Sequence, residues 1–158
     1  MSQRFPPLLA ASAMGVYLLL VVGATTAVTD AATACASWPA CGNGLQLPTA
    51  SAGWVALGHR AVAAVVGVLV LATGVAAWRA RPDRRVAAAL VGSFLLYPIQ
   101  SLLGAYVATN GRETLATVAG AAVTLSAVHL AGGLLVFFGL LAALAWELED
   151  RTGDPDDE

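Results

Sequence analysis

The sequence predicts an all-α integral membrane protein, a bundle of four transmembrane helices with both termini in the cytoplasm. Of its 158 residues, 58% are hydrophobic and only 11% are charged, which is more apolar surface than a soluble domain of this size can bury. Four apolar segments without a mid-span charge reach the roughly 20 residues that a spanning helix needs. Their continuous apolar runs lack the strict alternation of barrel strands, so they are predicted to be helices.

The first helix is predicted at about residues 7–29, and the others at about 53–78, 86–109 and 120–146. The first resembles a secretory signal peptide, because Arg4 precedes the apolar stretch and the small residues "GATTA" lie at its end. Its uncharged run is nevertheless long enough to span a bilayer, so we expect this helix to be retained. Residues 1–146 are therefore expected to form a single four-helix membrane domain.

The placement of arginine orients the bundle. The chain has no lysine, and four of its eight arginines crowd the "RARPDRR" link between the second and third helices. Together with Arg4 and Arg151, they place both termini and this link in the cytoplasm, while Arg60 and Arg112 lie on the other side. Residues 147–158, "ELEDRTGDPDDE", are then expected to be a disordered acidic cytoplasmic tail. A multi-pass protein of the plasma membrane is predicted, without the basic surface that nucleic acid requires.

The outer loop, residues 30–52, contains "TACASWPACGNG" with the two cysteines of the chain, Cys35 and Cys41. The predicted topology exposes them to a compartment where disulfides persist. Their spacing is compatible with a bridge, which would be either a structural staple of the loop or a redox-active pair. A metal site is disfavoured, because two sulfurs without nearby histidines do not complete a tetrahedral set.

The second and fourth helices each carry one histidine, and these two are the only histidines in the chain. His59 lies about six residues into its helix and His129 about nine, which puts both roughly 9–14 Å below the outer surface. Ionisable residues inside a membrane are usually functional. Two imidazoles at matched depth can hold a haem iron from both sides; the alternative is two unrelated histidines, each bonded to a backbone carbonyl.

Small and polar residues accompany the histidines. Small residues share their helix faces one or two turns deeper and leave room for close packing or for a macrocycle; they are Ala63, Gly67, Gly132 and Gly133. On the third helix, Tyr97, Gln100 and Gly104 recur at helical spacing and are expected to face the same interior. Arg60 is placed to meet a haem propionate or to extend to the outer interface.

Several motifs together resemble those of the haem A synthase family. The stretch "GATTAVTDAATACASWPACGNGLQLP" followed by "HR" is similar to that family's first helix end, cysteine-bearing loop and second helix start. The stretches "IQSLLGAYVATNG" and "VHLAGGLL" resemble its third helix and the histidine of its fourth. The resemblance runs from about Gly23 to Leu135, which is most of the chain.

The resemblance implies an activity and a site. Members of the family are membrane enzymes that oxidise the C8 methyl of haem O to a formyl group, making haem A for terminal oxidases. It implies that His59 and His129 are axial ligands of haem iron and that Cys35 and Cys41 form a disulfide. The bound haem would be haem b as a cofactor, or haem O and haem A as substrate and product. Haem O synthase and a terminal oxidase are the implied partners.

This chain departs from the family pattern in two respects. It is a half-size form with one histidine pair, whereas typical members have eight helices and two pairs. A homo-oligomer, such as a dimer in contact through the small-residue faces at Gly15, Gly23 and Gly104, would restore the second site. Members also commonly carry a glutamate three residues before the outer histidine, where this chain has Ala56. Asp30 is the expected catalytic replacement, accepting a proton at the outer mouth.

Two other classes remain open on the sequence alone. One is a non-catalytic b-type haem-binding protein that transfers electrons, which needs the histidines but not the carboxylate. The other is a quinone-linked disulfide oxidoreductase, also a four-helix bundle with outer cysteines, which has no use for matched histidines inside the membrane.

Overall fold

Four long helices make up almost all of the protein. The computed structural model describes residues 5–35, 37–41, 47–111, 114–118 and 121–152. The helices are α1 (Phe5–Val28), α2 (Ser51–Ala80), α3 (Arg84–Asn110) and α4 (Leu125–Thr152). Each is long and apolar enough to cross a membrane. The predicted four-helix membrane architecture is confirmed, and the observed bounds lie close to the predicted ones except at α4.

The helices pack mainly as two pairs, α1 with α2 and α3 with α4, and α1 also packs against α4. The apolar core fills the half of the bundle nearest the arginine-rich link, where Phe5, Leu9 and Val86 are fully buried beside Val136 and Leu140 of α4. Many apolar side chains on the outer helix surfaces are exposed, as expected of surfaces that face lipid.

A hairpin that the sequence did not predict precedes α4. Strands β1 (Thr114–Val118) and β2 (Ala121–Thr124) pair antiparallel, with Thr114 opposite Thr124. The stretch is rich in threonine and valine, which favour strands, so the fourth helix predicted from residue 120 is wrong in its start. The helix begins at Leu125, where the Thr124 hydroxyl accepts the backbone N–H of Ala127 at 3.2 Å and caps it.

At the arginine-rich end, α4 continues beyond its predicted end at residue 146. Glu147 is buried and bonds Arg151 one turn on, at 3.1 Å, so the acidic tail expected from residue 147 begins as helix. The rest of that tail, residues 153–158, lies outside the described residues, as do Arg4 and Arg112. Arg85 of α3 pairs with Glu149 and Asp150 of α4, which joins the two helices at this end.

Candidate functional site

A cavity of about 640 Å³ occupies the half of the bundle that the apolar core leaves open. All four helices line it, mostly with small and apolar residues, and the outer loop closes one end through Trp38 and Pro39. Its volume lies within the roughly 300–1,000 Å³ typical of cofactor and small-molecule sites. His59 and His129 both line it, so the structure brings the two histidines of the sequence to one cavity.

Each imidazole rests against a glycine of the neighbouring helix. A Cβ atom added to Gly23 of α1 would stand 3.2 Å from Cε1 of His59 on α2. A Cβ atom on Gly104 of α3 would stand 3.1 Å from Cε1 of His129 on α4. Both positions are close enough that any larger residue would press on the ring, so each histidine depends on the absence of a side chain across a helix interface.

Both histidines have an unpartnered nitrogen. The Nδ1 atoms of His59 and His129 are buried and have no hydrogen-bond partner among the described residues. Each ring therefore keeps a buried nitrogen that is available to a ligand, since buried polar atoms in folded proteins are almost always partnered. At His129 the backbone of Gln100 also interacts with the ring, as the alternative of a carbonyl-bonded histidine requires.

The third helix contributes polar groups, as its spacing predicts. Tyr97 lines the cavity and its hydroxyl donates to the Ala63 carbonyl of α2 at 2.6 Å. Its ring also contacts Gly67, since a Cβ there would stand 3.2 Å from Cε1 of Tyr97. Gln100 lines the cavity too, only 9% exposed, and its Oε1 has no hydrogen-bond partner among the described residues.

The outer loop is held by the disulfide and by Arg60. Cys35 and Cys41 are bonded to each other, with their Cα atoms 4.7 Å apart. Arg60 donates to the Ser37 carbonyl at 2.7 Å and also to the carbonyls of residues Cys35, Pro39 and Ala40, at 3.0, 3.2 and 3.2 Å. Sequence reasoning did not anticipate this role. The sequence offered one signal of this contact: Arg60 directly follows His59, near the outer loop that carries the two cysteines.

The positions considered for the missing carboxylate differ in their surroundings. Ala56, at the position where haem A synthases commonly carry glutamate, lines the cavity and is buried against Cys35 and Cys41. Asp30 lies at the end of α1, is exposed and has a left-handed backbone with φ of 52°. It does not belong to the described lining of the cavity.

These features fit a metal-bearing macrocycle better than a bare ion. Among the described residues, no group of three His, Cys, Asp or Glu side chains is placed to hold a metal. Two imidazoles alone do not complete a site, whereas a porphyrin supplies four further nitrogens in its plane. The apolar walls, the glycine-backed rings and the unpartnered Nδ1 atoms are therefore compatible with haem.

Comparison with known proteins decides the family. A sequence model of the COX15-CtaA family, described as cytochrome oxidase assembly protein, matches residues 6–158. The chain belongs to this family. The resemblance to haem A synthases noted in the sequence is confirmed at the level of the family, and a role connected with haem biosynthesis in a membrane is supported.

Curated relatives that match nearly the whole chain carry a different name. Proteins named protoheme IX farnesyltransferase are 52% identical over 154 residues in Haloquadratum walsbyi and 46% over 156 residues in Haloarcula marismortui. One from Halobacterium salinarum is 45% identical over 154 residues. These matches cover 97%, 99% and 97% of this chain but 30%, 31% and 31% of the relatives. The chain thus spans less than a third of their length.

The expectation that this chain oxidises haem O to haem A is wrong. The relatives are named for the transfer of a farnesyl group to protohaem IX, a different reaction from oxidation of a methyl group. They are named neither for electron transfer nor for disulfide oxidation, the two alternatives. The proton-accepting role expected of Asp30 belonged to the haem O oxidation and falls with it.

The three glycines expected to join two copies make contacts within this chain, and the homo-oligomer stays a prediction. Gly15 faces Val66 of α2, since a Cβ on Gly15 would stand 3.2 Å from Cγ2 of that valine. Gly23 and Gly104 face the two histidines, as described above. Gly15 is buried, Gly23 and Gly104 are partly buried, and each faces a side chain of a neighbouring helix, because small residues permit close approach within one chain as well as between two.

Proposed function

We propose that this chain is a haem-binding membrane unit that serves the farnesylation of protohaem IX, and that it holds the macrocycle between His59 and His129. The observation that carries the proposal is that both imidazoles line one apolar cavity with their Nδ1 atoms unpartnered among the described residues. The relatives' shared name supplies the reaction, in which protohaem IX is the substrate and a farnesylated haem is the product.

The two histidines would hold the haem iron, each through a neutral ring nitrogen. When bound, the haem supplies the metal centre to which both imidazoles attach, and its ring supplies the apolar surface that the cavity buries. Gly23 and Gly104 would fix the ring positions from behind. The small residues of the cavity wall keep water from the macrocycle, as the apolar lining of cofactor sites generally does.

Arg60 would attract a haem propionate to the outer mouth of the cavity. The hydrogen bonds that its guanidinium donates to described residues all end on carbonyl oxygens, and no salt bridge of the described residues involves it. Its positive charge is therefore not neutralised by a described carboxylate, and it lines the cavity beside His59. A propionate carboxylate is the complementary group that the proposed ligand carries.

We place the prenyl transfer itself outside this four-helix unit. A prenyl diphosphate is commonly held through divalent cations, which prefer clustered carboxylates, and the described residues contain no group of three acidic, His or Cys side chains. The partner that we propose is accordingly a prenyltransferase unit, like the part of the relatives that this chain does not match, rather than a second copy of the chain. Both would lie in the plasma membrane, with the arginine-rich end of this chain in the cytoplasm.

The first experiment measures haem binding. The purified chain in detergent is titrated with protohaem and its visible spectrum is recorded, alongside the variants H59A and H129A and the buried-polar control S93A. We expect a six-coordinate spectrum in the wild type and in the control, and its loss in both histidine variants. A wild-type chain that binds no protohaem would overturn the proposal.

The second experiment tests the link to farnesylation. Membranes containing the unmatched part of the Haloquadratum walsbyi relative are supplied with protohaem and farnesyl diphosphate, and haem O is extracted and quantified. Adding the wild-type chain should raise the yield, and adding the H59A/H129A double variant should not. An equal yield with and without a haem-loaded wild-type chain would remove farnesylation from the proposal while leaving haem binding intact.

A further inference from the structure

Gln100 is a buried polar residue in the cavity that neither the bundle nor the histidine pair explains. Its side chain is more than nine-tenths buried on α3, and its Oε1 lacks a hydrogen-bond partner among the described residues. It lies one turn from Gly104, the glycine behind His129. The amide rests directly on Gly132 of α4, where a Cβ atom would overlap it.

An unpartnered amide oxygen in this position has a cost to the folded protein. A buried polar group without a partner loses its hydration and destabilises the structure, and most such groups in folded proteins are satisfied. The bundle nevertheless accommodates this one, with a glycine opposite it on α4. An apolar side chain of the same length would fill the space without that cost. The amide is therefore suited to a polar group that enters the cavity with a ligand.

The proposed reaction creates one such group. The vinyl group of protohaem attacks C1 of the farnesyl diphosphate, so a carbon–carbon bond forms and pyrophosphate leaves with the electron pair of the broken C–O bond. The positive charge then lies on the carbon beside the macrocycle. Water adds to that carbon and loses a proton, which leaves a hydroxyl. Protohaem has no hydroxyl on this edge, whereas the farnesylated product has one that can both donate and accept a hydrogen bond.

We propose that Gln100 is a specificity residue whose amide bonds this hydroxyl, so that the cavity holds the farnesylated haem in preference to protohaem. This inference rests on the proposed function, and it assigns the cavity to the product side of the reaction. A site that hydrogen-bonds a ligand hydroxyl discriminates strongly against an analogue that lacks it, because the buried amide is then left unpaired. A hydroxyl satisfies the amide whichever of its two ends faces the ligand.

The test is a ratio of affinities. The purified chain is titrated with protohaem and with haem O, and the ratio of the two dissociation constants is compared among the wild type, Q100M, Q100E and S93A. Met keeps the length of Gln100 and removes the hydrogen bond, Glu keeps an oxygen at the same place, and Ser93 is a buried polar residue of the same helix outside the described cavity lining. We expect the wild type and S93A to favour haem O roughly tenfold, Q100M to bind both haems equally, and Q100E to retain a preference.

The unloaded protein provides a second readout. Because Q100M removes an unsatisfied group without creating a cavity, its haem-free form should melt at or above the wild-type temperature, whereas a structural glutamine would make it melt lower. Equal affinities of the wild type for both haems, or a preference for haem O that survives in Q100M, would overturn the inference while haem binding stands. If the wild type bound neither haem, the proposed function would fail first and the inference with it.

Discussion

The Cε1 atom of His129 lies 3.1 Å from the point that a Cβ atom would occupy on Gly104 of the neighbouring helix. The same relationship recurs between His59 and Gly23, at 3.2 Å. Each imidazole ring therefore packs against the backbone of a glycine on the partner helix of its pair: His129 of α4 on α3, and His59 of α2 on α1. The positions of the two imidazoles in the cavity are set by helix packing as well as by their own helices.

Substituting Gly104 by alanine should consequently displace the His129 ring. A methyl group at this distance forces the imidazole to move, and overpacking of this kind typically costs about 1–3 kcal/mol. We expect G104A to bind protohaem roughly tenfold more weakly than the wild type, measured by spectral titration. The control is G92A, on the same helix, where an added Cβ would meet nothing within 4 Å. Equal weakening in both variants would show that the contact with His129 is not the cause.

The loss of haem binding caused by removing one histidine side chain should be reversed by free imidazole. The variants H59G and H129G are expected to lose protohaem affinity by more than roughly 100-fold, since even partners of metal ligands contribute about 10–100-fold. Free imidazole in the buffer should restore a six-coordinate spectrum in each variant, because the deleted ring leaves a hole of its own shape. Recovery in neither variant, with both proteins still folded, would argue against axial ligation by these residues.

The sequence predicts the fold well where composition alone decides it. Long apolar runs specify the four spans, and the depth of His59 along α2 follows approximately from the rise per residue. The predicted depth of His129 is too great, because α4 begins at Leu125 and the histidine lies four residues into it rather than about nine. The glycine contacts of both rings could not be predicted, because they depend on how neighbouring helices are rotated. The hairpin was missed because β-branched residues in an apolar stretch fit a membrane helix almost as well as a strand. The reaction was predicted wrongly because the same haem-binding bundle can serve different reactions. The sequence motifs identify the bundle but not the reaction.

Arg60 has two roles that substitutions can separate. Lysine keeps the charge but loses the planar fork that reaches several carbonyls of the disulfide loop, while glutamine loses the charge as well. We expect R60K and R60Q both to speed amide hydrogen exchange in residues 37–41. Only R60Q should weaken binding of protohaem, by up to about fivefold for a partly exposed ion pair.

Esterified protohaem identifies the source of that effect. If a propionate meets Arg60, the dimethyl ester should bind the wild type more weakly than the free acid, and R60Q should bind both forms alike. Wild-type affinity that is indifferent to esterification would assign Arg60 to the loop alone. The double variant C35S/C41S is the matched control, because it loosens the loop and keeps the charge of Arg60. Its loop amides should exchange hydrogen faster, and it should still prefer the free acid to the ester.

Asp83 should make the arginine-rich end of the bundle sensitive to acid. Its carboxylate accepts the backbone N–H of Arg85 at 2.9 Å, which holds the pKa of Asp83 below its ordinary value. The unfolded chain takes up this proton near pH 3.9, so the stabilisation is complete above that pH and is lost as the pH falls towards the lower folded-state pKa. Other charges near Arg85, on Glu149 and Asp150, are common to the wild type and its variants.

The matched variant is D83N, because asparagine caps a helix about as well as aspartate but does not titrate. Unfolding in detergent should show D83N losing less stability than the wild type between about pH 5 and pH 3, with the two proteins similar at neutral pH. The variant D83A should be the less stable protein at neutral pH, since it removes the cap altogether. If the wild type and D83N lost the same stability between about pH 5 and pH 3, the bond to Arg85 would not govern the acid sensitivity of this end.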